Sequence, residues 1–169
     1  MSARMTQVCV FPFDEMMNHV GLCRKLKGPT PDHPNGQVGK LNGFGGGVED
    51  DDASPEAAAK RELNEEIGLG EWNLHLFAIE EYPSQKGVVV YYYFACDDSK
   101  FIRLQQMTQA LDGSPIETHD MRDVEHLFWS IDEKWVWNVP YLLLKARIFG
   151  KRNKEHWPKV VNPRFALPA

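Results

Sequence analysis

The chain of 169 residues is 43% hydrophobic, enough for one domain with a buried core and short for two. A net charge of −5 argues against the basic footprint that DNA or RNA binding requires, while leaving room for a small phosphorylated ligand carried with a metal. The three cysteines, Cys9, Cys23 and Cys96, are far apart and lack CxxC spacing, so neither a disulfide framework nor a zinc site is indicated and reduced, buried thiols are expected.

No apolar leader with a small-residue cleavage site opens the chain, and its longest apolar run, Val88 to Cys96, is too short to cross a bilayer as a helix. A cytoplasmic protein without membrane contact is therefore expected. Gln7 to Phe13 and Val20 to Lys25 have strand composition and flank the short acidic loop at Asp14 and Glu15, which predicts an antiparallel pair. Arg24, Lys25 and Lys27 close the second strand; each can meet a substrate phosphate or simply solvate the surface, and Arg24 is the candidate for substrate binding. Residues 28–40, rich in proline and glycine, form a loop that leads into a glycine-rich turn.

The stretch Gly43 to Leu69, GFGGGVEDDDASPEAAAKRELNEEIGL, joins that turn to a helix. Ser54 suits the N-cap, Pro55 the first helical position and Gly68 the left-handed closing position, so the helix is predicted over Pro55 to Ile67. At the helical period Ala59, Leu63 and Ile67 form an apolar stripe that can dock on a sheet, and Glu62, Glu65 and Glu66 share the neighbouring sector. Like charges so spaced cost a helix about 0.2–0.5 kcal/mol per pair. Arg61 can hold one of these acids but cannot neutralise three, whereas a divalent ion can, and hard oxygen donors favour magnesium, manganese or calcium over zinc. A solvated acidic face is the plainer alternative for such a sequence.

The order of glycine turn, acidic loop and capped helix, ending in Arg61-Glu62-Leu63-Asn64-Glu65-Glu66-Ile67-Gly68-Leu69, resembles the signature box of the Nudix hydrolases, with core R-E-apolar-x-E-E-x-G-apolar; every defined position of that core is present. The resemblance implies an α/β/α sandwich with a mixed sheet. It makes Glu62, Glu65 and Glu66 the metal ligands and Arg61 their orienter, with the Gly46 and Gly47 backbone next to metal and phosphate. The family pattern places a glutamate where this chain has Ala53; the acid stands one residue early, at Asp52, which leaves the leading acid of the box open.

Beyond the box, Leu74 to Tyr82 and Val88 to Cys96 read as a hairpin around Pro83 to Gly87. Between Ser99 and Gly113 the pattern allows a short helix or an extended excursion. Val124 to Ile131 reads as a strand, and Pro140 to Phe149 as a second helix with proline in its first turn. Glu125, near the position where relatives supply a further acid, is a catalytic candidate by resemblance, with Asp123 its rival. The basic tail over residues 151–169 either packs on the single domain of residues 1–150, joins a partner copy or stays loose.

No HExxH, GxSxG or P-loop pattern is present, so phosphate is expected to meet metal here. The expected activity is Mg2+- or Mn2+-dependent cleavage of a phosphoanhydride in a nucleoside diphosphate derivative, with Glu65, Glu66 or Glu125 as proton acceptor. Asn42-Gly43-Phe44-Gly45-Gly46 and Asn138-Val139-Pro140 are similar to stretches of the MutT-like triphosphatases of the family. That likeness implies a nucleoside triphosphate, an oxidised purine among the candidates, cleaved to monophosphate and pyrophosphate, with Asn42, Phe44 and Asn138 at the substrate. An ADP-ribose or dinucleotide pyrophosphatase, to which Pro83 points, and a non-catalytic nucleotide-binding module are the alternatives. The expected partner is a small nucleotide and the expected state a monomer or homodimer.

Overall fold

A computed structural model describes residues 5–26, 37–82, 87–127 and 135–153. Along the chain run β1 (Met5–Phe13), β2 (His19–Arg24), β3 (Leu41–Asn42), α1 (Pro55–Ile67), β4 (Leu74–Tyr82), β5 (Val88–Cys96), α2 (Asp98–Gln105), β6 (Ile116–Asp120), α3 (Met121–Leu127) and α4 (Val139–Asn153). The six strands form one mixed sheet in the order β3-β2-β1-β5-β4, with β6 also paired to β2. β1 runs parallel to β5 from Met5 opposite Val88 to Phe13 opposite Cys96, and β4 folds back antiparallel on β5.

Strand alternation divides the core into two layers. Val8 and Val10 of β1 join Ala58, Ala59, Leu63 and Ile67 of α1, together with Phe101 and Leu104 of α2. Cys9, Phe11 and Phe13 point the other way and pack with Met121 and Val124 of α3 and Val139, Leu142, Leu143 and Ala146 of α4. Helices thus cover both faces of the sheet, the sandwich expected from the sequence. Burial pushes the Cys9 thiol up to about 12 and the Cys23 thiol up to about 11, so both remain neutral packing groups.

Two expectations are corrected. The strand predicted from Val124 begins instead as helix α3: Asp120 accepts the Arg122 N–H at 2.8 Å as the chain turns, and Met121 and Val124 are fully buried at helical spacing. Residues 128–131 lie outside the described residues. The strand on that side is β6, whose polar sequence Ile116-Glu117-Thr118-His119-Asp120 carries no alternation signal and forms because it pairs with β2 from His19 to Cys23. The open stretch after Ser99 contains α2, which begins at Asp98 behind the N-cap Asp97. α4 runs through Asn153, so the tail boundary at residue 151 falls inside a helix. Among the described residues no helix is long and apolar enough to cross a membrane.

Candidate active site

α1 forms for the reasons its sequence gives. Ser54 accepts the Ala57 N–H at 3.1 Å, Pro55 starts the helix, and Gly68 closes it at φ 63° with its N–H on the Asn64 carbonyl. The preceding turn is pinned to β1 by the Val10 N–H to Phe44 carbonyl bond of 2.7 Å and the Val8 N–H to Gly46 carbonyl bond of 2.9 Å. A side chain at Gly45 would run into backbone, and one at Gly46 would press on an acid of α1. A Cβ on Gly45, whose φ is 145°, would stand 2.2 Å from the Val8 carbonyl oxygen, and one on Gly46 would stand 2.7 Å from both carboxylate oxygens of Glu62. The acidic sector of α1 therefore lies directly against the bare backbone of this turn.

Arg61 ties the two together. Its Nε and a terminal nitrogen donate to the two oxygens of Asp52 at 3.1 and 2.9 Å, and other bonds reach the Gly47 carbonyl at 3.0 Å, Glu62 at 3.0 Å and Glu65 at 3.3 Å. The leading acid left open by the sequence is thus answered for Arg61 by Asp52. The turn from Glu49 to Asp52 is closed by the Asp52 N–H on the Glu49 carbonyl and the Glu49 N–H on the Asp52 carboxylate. The Arg61 guanidinium holds the Asp52 carboxyl below the usual carboxylate range.

Glu66 sits deeper. One oxygen accepts the Gly45 N–H at 2.7 Å and the other meets the Lys25 ammonium at 3.3 Å. Burial pushes its carboxyl up, opposed by Lys25 and the Gly45 N–H; burial likewise raises Glu62, opposed by Arg61. Lys25 is the site residue whose pairing with Glu66 the sequence did not reveal. Along β2, Val20 and Leu22 face α4 while Cys23 faces α1, so both parities are apolar and alternation could not tell which of Arg24 and Lys25 points at the acids.

Arg24 takes the other side: it donates to Glu117 of β6 and, at 2.7 Å, to the Gly39 carbonyl, so its guanidinium is already committed. Phe44, a substrate-binding candidate, is fully buried against α1, and its ring is core rather than ligand contact. Glu125 pairs with Arg147 of α4 and shares no hydrogen bond or ion pair with the acids of α1 among the described residues. Lys27 and Pro83 lie outside the described residues.

The two asparagines flank a polar row on the α4 face. Asn42 accepts the Gly43 N–H at 2.8 Å, receives the Cys9 thiol at 3.7 Å and donates to Gln37 at 3.2 Å. Cys9 is in register with Tyr92 of β5. Asn138 is buried; its amide nitrogen faces the Tyr82 hydroxyl at 2.7 Å, the Tyr92 hydroxyl at 3.3 Å and Glu80 at 3.4 Å, while its backbone carbonyl accepts the Leu142 N–H of α4. Its side chain therefore serves the sheet rather than capping the helix.

No described group of three or more His, Cys, Asp or Glu side chains is drawn together as a ready metal cluster. The donors nonetheless fit a hard divalent ion: Glu62 and Glu66 are carboxylates whose burial a cation would offset, Glu65 shares their sector, and backbone carbonyls of the glycine turn lie alongside. Arg61 and Lys25 now occupy these acids.

The Nudix domain profile matches residues 3–138, and the chain belongs to the Nudix family. No curated protein sequence matches it. Among solved structures, a mutT/nudix family protein from Listeria innocua superposes with a TM-score of 0.59 at 22% identity, covering 90% of this chain and 95% of that one. Shewanella oneidensis NrtR in complex with a 27mer DNA gives 0.62 at 16% identity; 88% of this chain is covered, and this chain spans 62% of NrtR. The NUDIX domain of the same NrtR with ADP ribose gives 0.59 at 13% identity, covering 88% of each chain.

Proposed function

We propose that this Nudix protein hydrolyses a nucleoside triphosphate, oxidised purines included, to the monophosphate and pyrophosphate with Mg2+ or Mn2+. The observation that carries the reading is the acidic sector of α1 set against the Gly45–Gly47 backbone and held there by Arg61 and Lys25. A bound divalent ion would neutralise the diphosphate and make the attacking water more acidic. Glu62 and Glu66 would hold the ion, and Arg61 keeps Glu62 and Glu65 in register with Asp52 and Gly47. Glu65, whose side chain is 58% exposed, is the acid with solvent access and takes the proton of the attacking water. The water oxygen would bond to the α- or β-phosphorus as the P–O bond bridging the two breaks, so that the nucleoside monophosphate and intact pyrophosphate separate. Asn42 and Asn138 read the base at opposite ends of the polar row. The negative net charge supports a small nucleotide over a nucleic-acid polymer as ligand.

One observation favours a second reading: the structurally similar NUDIX domain of NrtR was crystallised with ADP ribose. A panel of ordinary and oxidised purine triphosphates, ADP-ribose and dinucleoside polyphosphates, incubated with Mg2+ and analysed for products, separates the readings. Monophosphate with intact pyrophosphate is expected, abolished by excess chelator and lowered by orders of magnitude in Glu66→Gln with the fold retained. Selective conversion of ADP-ribose to AMP and ribose phosphate would move the assignment to the second reading, and binding without turnover would make this a nucleotide-binding module.

A further inference from the structure

The two cations of the site hold their acids differently. Arg61 grips Asp52 through two nitrogens and also binds the Gly47 carbonyl, so it cannot leave without loosening the turn itself. Lys25 makes two long contacts, 3.3 Å to Glu66 Oε1 and 3.5 Å to the Gly45 carbonyl. Both partners are hard oxygen donors, the kind magnesium and manganese take. The pair is also secluded, with side chains 15% and 16% exposed.

We propose that Lys25 is the resident counter-ion of the carboxylate site: its ammonium holds Glu66 against the Gly45 turn in the metal-free protein and is displaced by the entering divalent ion. This rests on the metal-binding reading of Glu66 given above. A secluded carboxylate without a cation is costly, so the free protein needs Lys25. One charge on a flexible stem, held by long contacts, is enough to keep Glu66 in place and weak enough to yield to a doubly charged ion seeking the same oxygens. Because ammonium and metal compete, Lys25 stabilises the free protein and lowers its affinity for metal. A lysine that merely supported the fold would act in the opposite sense, since its loss would disorder Glu66 and weaken metal binding.

The test is a double-substitution cycle of wild type, Lys25→Gln, Glu66→Gln and the double variant. Mn2+ binding is followed by the paramagnetic resonance of the free ion, and thermal midpoints are taken in chelator. Lys25→Gln should bind Mn2+ at least about fivefold more tightly than wild type, the low end of ordinary coupling between ligands. In the Glu66→Gln background the same substitution should change affinity by less than about twofold, the usual error of additivity. In chelator Lys25→Gln should melt earlier than wild type, and the double variant should recover part of the loss. Equal tightening in both backgrounds would reduce Lys25 to a general field effect, and weakened binding in Lys25→Gln would make it a structural support; either overturns the proposal. Should Lys25→Gln fail to fold, Lys25→Arg carries the test with reversed sign, because a forked guanidinium grips Glu66 harder and must weaken Mn2+ binding. Wild-type protein that binds no Mn2+ removes the metal reading and this proposal together, whereas wild-type binding with a failed cycle removes the proposal alone.

Discussion

Gly46 shows how closely the chemistry of this site is tied to single atoms. A methyl group there would stand 2.7 Å from both oxygens of Glu62, but what it meets is the tip of a flexible side chain and not backbone. Gly46→Ala should therefore cost about 1 kcal/mol of stability or less, while swinging Glu62 out of position. A displacement of about 1 Å at a reacting centre can lower turnover about a hundredfold, and a loss of that order is expected with the thermal midpoint nearly unchanged. A large fall in midpoint would show instead that the turn itself had broken. Residues of this kind were partly legible in the sequence. Glu62, Glu65, Glu66 and Arg61 share one helix, so spacing alone places them on one sector. Asp52 and Lys25 reach the same sector through a turn and through β2, and no local rule says where a loop with one additional residue or a doubly apolar strand will aim its charge.

Elements were legible where their signals are local. α1 carries an N-cap, an N1 proline and a closing glycine, and β4 and β5 carry β-branched and aromatic runs around a turn; all were predicted with the boundaries they have. β6 and α3 depend on tertiary partners and were missed or misread. α2 has a local device that the sequence reading left open: Asp97 accepts the Lys100 N–H at 3.0 Å, the Lys100 ammonium at 2.8 Å and the Ser99 hydroxyl at 2.6 Å. Burial raises the Asp97 carboxyl, yet these donors outweigh it and hold the group down at about 2, against 3.8 in the unfolded chain. The folded state favours the ionised form, so its contribution is complete above 3.8 and is lost as pH falls through about 2. Asp97→Ala should lower stability by about 1 kcal/mol near neutrality through loss of the cap. The gap between variant and wild type in urea midpoints should narrow as the pH is taken down through that window. A gap that stays constant with pH would mean that the charge of Asp97 is not what stabilises α2.

At the scale of the whole molecule, the sheet separates two sets of polar groups. The face covered by α1 carries the acids and their cations, and the face covered by α4 carries the polar row from Asn42 through Cys9 and Tyr92 to Asn138. If the first face breaks the phosphoanhydride and the second reads the base, substitutions on the second should change selectivity and leave metal-dependent turnover of the preferred substrate largely intact. Asn138 tests this most sharply because a structural role is already visible for it. Its amide nitrogen meets two tyrosine hydroxyls and the Glu80 carboxylate in a buried setting, and Tyr82 also donates to Glu80. Asn138→Ala should therefore cost about 1–3 kcal/mol by leaving buried polar groups short of a partner, whatever the ligand. Base reading adds a separate effect: an amide that matches one base edge and not another discriminates by roughly 1–3 kcal/mol, and that discrimination should collapse in the ratio of kcat/KM for oxidised and ordinary purine triphosphates. Asn42→Ala, with only a thiol, a glutamine and its neighbour's N–H to lose, should shift the same ratio at a smaller cost in stability. The pair of variants keeps the two effects apart, since thermal midpoints report the networks and kcat/KM ratios report the base. Ratios that stay at the wild-type value in both variants, with Asn138→Ala melting early, would leave the α4 face a purely structural layer and move base recognition elsewhere on the molecule.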